Sequence, residues 1–513
     1  MFCMASPCRN LESRDECRSA SRTGPRKKRN KTNPPPSGVI AVTQGAGVFH
    51  LTKDLVHNRQ SFSRWSSPES PLWLLSGRFA NNPRGWPVDF PFWLKKMLVD
   101  AGLGHWLPGS ENISSSAHTI AQCSNRVLTA PFSCLNNMEE SDTPPAPDFL
   151  NLAGGYLQGF SPPGASLPRS LPEAVCQLPE GSPGLREELS RYMASENQAV
   201  YSSEKEIAVT NGATQAIQLA LDSLVNPGEQ VMLPDPCPAL HEHLVRCHGA
   251  RPIWLQTRQE EGNLCFSLKE FSSQLKKCRM ALFANPGNPC GGVIRTPRLQ
   301  EMTSLARKAN AIILWDCTLH ELQFDGPPVH PGSLEDCRNY SLIANSLSVS
   351  HGLSPTRVGW LTGPEFLLSP CKALLKIQRN GASELGQRIL LDHLHSWSRA
   401  DWNRTLERLD QNRHQAYQRL CGMGLDPFWP AGGIWFWLPV WRRQSAEDFC
   451  QQLSQGYQVL LRPGEGFGPS GPGYVRLSFG VEEGRLDEAL RRMELYLENK
   501  PFEARGPLLR AVA

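Results

Sequence analysis

From about residue 149 onward, short apolar runs alternate with longer stretches in which apolar positions recur every three or four residues, as strands and helices taken in turn require. The periodicity predicts helix Pro183–Ala194 before strand Ile207–Thr210, helix Thr214–Leu224 before Gln230–Leu233, and helix Pro238–His248 before Pro252–Leu255. Helix Leu268–Lys277 then leads to Met280–Ala284 and helix Arg298–Asn310 to Ala311–Asp316; Tyr340–Asn345 and Arg357–Thr362 complete a sheet of about seven strands. Runs such as AIILWD and MALFAN are apolar throughout, which is how strands covered on both faces read. The expected class is therefore α/β with a mostly parallel sheet. A second, smaller α+β unit follows: helix Asp401–Gly422, strand Gly433–Leu438, helix Ser445–Gln455, strands Gln458–Leu461 and Tyr474–Phe479, and helix Arg485–Asn499.

Residues 1–137 carry neither rhythm. Trp65, Trp73, Trp86, Trp93 and Trp106 stand amid Pro, Ser, Gly and Asn, and the only helix candidate is Pro91–Leu103. No helix-turn-helix pattern occurs there. The expected organisation is a poorly structured, dispensable or non-native extension over 1–137, a large domain over 138–395, and a small α+β domain with a short tail over 396–513.

Charge sharpens that division. Residues 1–137 hold 17 Lys and Arg against 8 Asp and Glu, whereas the remainder holds 36 against 41. A mildly acidic body argues against an extended nucleic-acid surface. The basic run Arg26-Lys27-Lys28-Arg29 and Lys31 reads either as a localisation patch or as a solvated tail. Hydrophobic residues are 40% and charged residues 20% of the 513-residue chain, and no run approaches the roughly 20 apolar residues of a membrane span. Sixteen cysteines are scattered singly, with no CxxC pair and no metal-ligand spacing. That usage fits free thiols in the reducing cytoplasm, and no signal-peptide pattern opens the chain.

Three places carry candidate chemistry. Asn211-Gly212-Ala213-Thr214 follows a strand and opens a helix, so its backbone N–H groups and the helix dipole can hold a phosphate; a plain N-cap is the alternative. Asp316 ends an apolar strand at the carboxyl edge of the sheet, where open α/β folds bind ligands; it could also cap a following helix. Arg476 lies inside the strand YVRLSF, and a charge between apolar neighbours is costly unless paired.

The order VTNGATQAIQLAL, NPGEQVMLPDP, FANPGNPCGG, IILWD, NSLSVSHGLSPTRVGW and YVRLSFG resembles, motif by motif, the class I/II aminotransferases of fold-type I, from about Asn151 to Asn499. The resemblance implies amino-group transfer between an amino acid and a 2-oxo acid, with pyridoxal 5'-phosphate as cofactor and a homodimer as the working form. It assigns Gly212, Ala213, Thr214, Ser346, Ser348 and Arg357 to the cofactor's phosphate, Asn288 to its phenolic oxygen, and Asp316 to its pyridine nitrogen. Arg476 falls where the family binds the substrate's α-carboxylate.

The family's Schiff-base lysine stands eight residues before the phosphate arginine, and here that position is Val349. A valine can neither form an imine nor move a proton. Leu319 replaces a tyrosine, with His320 beside it. Pro234-Asp235-Pro236-Cys237-Pro238 lacks the stacking aromatic, and Cys176-Gln177-Leu178-Pro179 lacks a tyrosine-glycine pair. His351, two residues on, is the nearby side chain able to shuttle protons at neutral pH. Two readings follow: a family enzyme holding its cofactor without a covalent lysine, or a pseudoenzyme that binds cofactor or metabolite as a regulatory or partner subunit. A DNA-binding regulator finds no recognition helix.

Overall fold

The computed structural model describes residues 39–44, 47–52, 149–160, 178–378, 381–440 and 444–499. The chain separates into two compact units, Met1–His118 and Thr119–Ala513. In the first, Val39–Gln44 and Gly47–Thr52 pair antiparallel into a hairpin, where the sequence reading found no strand. The Pro91–Leu103 helix candidate, the basic run and Met138 lie outside the described residues.

The second unit is organised by seven strands: β1 (Ile207–Thr210), β2 (Gln230–Asp235), β3 (Arg251–Gln256), β4 (Met280–Ala284), β5 (Ile312–Asp316), β6 (Ser341–Asn345) and β7 (Gly359–Thr362). Their order is β1-β7-β6-β5-β4-β2-β3. Only β7 runs against its neighbours, β6 and β1; the other contacts are parallel. This α/β sheet has its successive residues buried on opposite faces. Ile313 and Trp315 join Phe283 and Ile343 on one side, under helices Pro183–Asn197, Leu268–Leu275 and Thr296–Ala309. Ile312 and Leu314 join Leu282 and Leu342 on the other, under Gly212–Leu224 and Glu365–Gln378. Each fully buried large side chain contributes about 1.5–3 kcal/mol of transfer free energy, so the doubly apolar strand sequences specify this sandwich.

The smaller sheet pairs Tyr474–Ser478 between Trp435–Pro439 and Arg462–Pro463, all antiparallel. Helices Arg399–Gly422, Ala446–Tyr457 and Glu483–Leu497 cover a core that includes Phe436, Phe449, Leu477 and Leu490. A further apolar cluster joins the two sheets: Leu319 and Leu322 from the large one meet Ile434 and Trp435 from the small one, with Trp402 between.

Several predicted boundaries shift for local reasons. Arg357 was expected to open a strand, but it adopts φ 53° in the left-handed region, so the strand begins at Gly359. Gln458, also left-handed at φ 56°, ends a helix rather than starting a strand. Helices Glu365–Gln378 and Glu384–Ser396 were not foreseen; the first carries Pro370 inside it, which reads as a breaker in sequence.

Candidate active site

Because β1, β2, β4, β5 and β6 are mutually parallel, their carboxyl ends share one edge of the sheet, and antiparallel β7 brings its amino end to the same edge. Gly359 pairs with Thr210, and Asp316 pairs with both Ala284 and Ala344. The topology thus gathers the segments after β1, β4, β5 and β6, and the loop before β7. These are the segments that hold Gly212–Thr214, Asn288, Asp316, Ser346, Ser348 and Arg357.

At the β1 end the helix starts at Gly212, and Asn211 makes no side-chain cap bond; its amide instead bonds Gln215 Oε1 and Gly381 O. The cap alternative is thereby set aside. Gly212 holds φ +75°, and a Cβ there would lie 2.9 Å from Nη2 of Arg357. A Cβ on Gly359 would meet the carbonyl carbon of Gly212 at 2.5 Å and the nitrogen of Ala213 at 2.6 Å. Gly212 therefore lets the guanidinium of Arg357 approach the first turn of the helix, and Gly359 lets the backbone of β7 pack against that same turn, where positive ends of peptide dipoles already favour an anion. Ser346 and Ser348 are buried alongside their strand end, and the Ser348 hydroxyl has no hydrogen-bond partner in the protein. A buried hydroxyl without a partner costs free energy unless a ligand supplies one. Glycine cradle, guanidinium and unsatisfied hydroxyl all fit a phosphate.

Asp316 is buried at the end of β5. Its Oδ1 accepts from Thr318 N at 3.1 Å and Thr318 Oγ1 at 2.7 Å, closing a turn rather than capping a helix. Its Oδ2 accepts from His241 Nε2 at 2.9 Å. Burial works to raise the carboxyl pKa, but the bond from His241, its charge and the Thr318 bonds outweigh it and hold the group below its ordinary value. An ionised carboxylate is the species that would keep a pyridine nitrogen protonated. His241 was missed from sequence: nothing local distinguishes it from His243 or His248 on the same helix.

Arg476 projects from the small sheet into this region. Nη1 donates to Asn288 Oδ1 at 3.0 Å and Nη2 to Ala153 O at 2.9 Å, while Nε is buried without a partner. The guanidinium lies 4.6 Å above the Trp435 ring, whose Nε1 donates to Gly154 O at 3.0 Å. Burial first, and then the charge of Arg462, push its pKa down. An arginine does not deprotonate under such pressure; the cost instead becomes a demand for an anion. The structure brings Asn288 and Arg476 into direct hydrogen-bond contact.

The remaining positions are apolar or turned away. Val349 packs on the cluster that joins the two sheets, with Leu319, Trp402 and Trp435. Every lysine among the described residues sits on a helix or loop surface; the least exposed, Lys372, donates to Glu204 O. His351 is sandwiched between Trp397 and Trp402 and shares a 2.9 Å hydrogen bond with His393. Burial drives its pKa well down. His320 faces His330 at 4.6 Å between ring centres, and burial lowers its pKa to about 3. Cys237 is buried, its backbone N–H donating to Phe467 O.

A doubly covered, largely parallel sheet with an anion cradle at its carboxyl edge, an ionised aspartate beside it and a buried arginine opposite defines a pyridoxal-phosphate fold of type I. Comparison with known proteins agrees. The profile of the family "Aminotransferase class I and II" matches residues 172–493. YugH of Bacillus subtilis, whose name assigns it provisionally to the aminotransferases, is 30% identical over 318 residues, covering 61% of this chain and 81% of its own length. The aspartate aminotransferase of Pyrococcus abyssi is 26% identical, over 62% of this chain and 83% of its own. Among solved structures, an aminotransferase from Staphylococcus aureus superposes with TM-score 0.65 at 21% identity, over 73% of this chain and 99% of its own; that likeness is one of fold. The chain belongs to the class I and II aminotransferase family.

Proposed function

We propose that this chain binds pyridoxal 5'-phosphate without a covalent link, recognises an amino acid or 2-oxo acid through Arg476, and does not run ordinary transamination at an enzymatic rate. When bound, the cofactor supplies an electron-sink ring. The first turn at Gly212–Thr214, Ser346, Ser348 and Arg357 hold its phosphate, Asn288 faces its phenolic oxygen, and Asp316, fixed by His241, keeps its ring nitrogen protonated. Val349 occupies the place from which a lysine would move protons and contributes only contact area. The observation that carries the reading is the coexistence of a carboxylate held ionised at Asp316 with an apolar Val349 packed among Leu319 and Trp435. The names of relatives, which include an aspartate and an arginine–pyruvate activity, support an amino or oxo acid as the ligand. Such a chain suits a regulatory or partner role. Family membership supports a homodimer, and free cysteines throughout the described residues support a cytoplasmic setting.

The test is titration of cofactor-stripped full-length chain with pyridoxal phosphate, followed by tryptophan fluorescence and near-ultraviolet absorbance. Saturation at one cofactor per chain, competition by inorganic phosphate and full reversal on dialysis are expected. Absence of saturable binding would refute the reading.

A further inference from the structure

The wall that links the two ends of the site is apolar. The guanidinium of Arg476 lies 4.6 Å over the Trp435 ring and 5.0 Å from the centre of the Phe467 ring. Trp435 belongs, with Leu319, to the cluster on which Val349 packs, and Val349 is half-buried, one residue after Ser348. Hydrocarbon therefore extends from the carboxylate-binding group to the end of the phosphate cradle. The charges at the rim of this cluster are matched to one another. Arg399, 4.8 Å over the Trp397 ring, donates to Glu196 and Glu321, and Glu321 also accepts from Tyr192 and Asn197. Drawing Arg399 toward an acidic ligand would leave Glu321, 8% exposed, buried without its counter-charge.

An exposed aromatic ring stands beside that wall. The Ala153 carbonyl accepts from Arg476 Nη2 at 2.9 Å, the Gly154 carbonyl accepts from Trp435 Nε1 at 3.0 Å, and Gln158 N donates to Gly480 O at 2.8 Å. Leu157 is buried in the same cluster as Trp435. With both ends of the turn fixed and Leu157 packed inward, Tyr156 is carried outward, 47% exposed. The Gly155 position before it is open, with nothing within 4 Å of an added Cβ. Tyr156 follows the carbonyl that Arg476 holds by three residues, a span of at most about 10 Å, so a ligand at Arg476 lies within reach of its ring. A tyrosine offers a large flat contact area while fixing only two side-chain torsions.

We infer that the site selects amino acids or 2-oxo acids with an aromatic or other bulky apolar side chain, which packs along Trp435 and Val349 with Tyr156 closing over it. The inference rests on the functional reading for one point, that Arg476 takes the α-carboxylate. Tyr156 is then a specificity residue, and the valine and leucine of the floor give the ligand's side chain its contact surface.

Calorimetric titration of the full chain, with and without saturating pyridoxal phosphate, compares phenylpyruvate with 2-oxoglutarate. Phenylpyruvate is expected to bind at least about tenfold more tightly, through burial of its ring. Tyr156→Ala should weaken phenylpyruvate by about fivefold and leave 2-oxoglutarate within about twofold of its parent value, while Tyr156→Phe should keep the parent preference. Val349→Thr, which sets a hydroxyl on the wall, should by itself cost phenylpyruvate about threefold. Equal or tighter binding of 2-oxoglutarate, no binding of either acid, or an undiminished preference in Tyr156→Ala would overturn the inference. Absorbance of the same samples reports cofactor binding separately: its failure would overturn the functional reading, while the acid preference is still read in the cofactor-free chain.

Discussion

The edge of the large sheet and the floor beneath it are made from the same loops and differ in kind. At the edge, polar groups are placed in costly positions and left waiting: a buried Ser348 hydroxyl, an arginine pressed against Gly212, an aspartate held ionised by His241. On the floor, one residue beyond Ser348, Val349 and Leu319 have no polar obligations and simply pack with Trp402 and Trp435. A buried hydroxyl without a partner is costly unless a ligand supplies one, whereas the side chains of Val349 and Leu319 carry no such cost. On the proposed reading, binding and chemistry are separable on this fold: the first requires the edge, the second a floor that can move protons.

The largest expected break of this comparison is at Asp316. Asp316→Ala leaves His241 without its partner and the cofactor ring without its counter-charge, and should weaken pyridoxal phosphate binding by about a hundredfold in a fluorescence titration. An affinity within about threefold of the parent would remove the carboxylate from the site.

Acid should separate the two regions next. His320, His351 and His393 are kept neutral by burial, with His320 held at about 3 and His393 at about 4 against an ordinary 6.5. The unfolded chain therefore takes up protons first, and stability falls as pH drops from about 6.5 toward 4, by up to about 1.4 kcal/mol per pH unit for each group. Asp316 has the opposite sign: its pKa is depressed, so its contribution is complete above the ordinary 3.8 and is lost only below that value. Denaturant unfolding across pH 4–7 should show the loss, and His393→Gln should flatten it; an unchanged slope would place these histidines in solvent.

At the phosphate end, Arg357→Gln is expected to cost about tenfold in cofactor affinity and to reduce its dependence on salt. Gly212→Ala should cost about fivefold, through positive-φ strain and the contact at 2.9 Å with Arg357. An equal loss for a phosphate-free pyridoxal probe would show that neither residue acts on the phosphate.

Much of the edge was legible in the sequence. Strands Ile207–Thr210 and Met280–Ala284 fall where the apolar runs placed them, because runs of four or five apolar residues are too short for a buried helix. The motifs holding Gly212–Thr214, Asn288, Asp316, Ser346 and Ser348 could be placed because each lies at or just after the end of such a strand, whereas Arg357 precedes β7 and Arg476 lies inside a strand of the small sheet. Partners supplied from a distance were not legible: His241 lies 75 residues from Asp316, and nothing about His241-Glu242-His243 says which ring faces the sheet. The polar hairpin Arg258–Glu260 and Asn263–Cys265 escaped because Glu261 takes a left-handed turn position, φ 48°, that sequence rules reserve for Asn or Gly.

Borohydride reduction of the pyridoxal-phosphate complex, followed by peptide mass spectrometry, tests the separation of edge from floor most directly. The parent chain should bind cofactor and retain no pyridoxyl label after denaturation, while Val349→Lys should acquire one label per chain at position 349. A stoichiometric label on any lysine of the parent, or a Val349→Lys chain that binds cofactor yet stays unlabelled, would contradict the account.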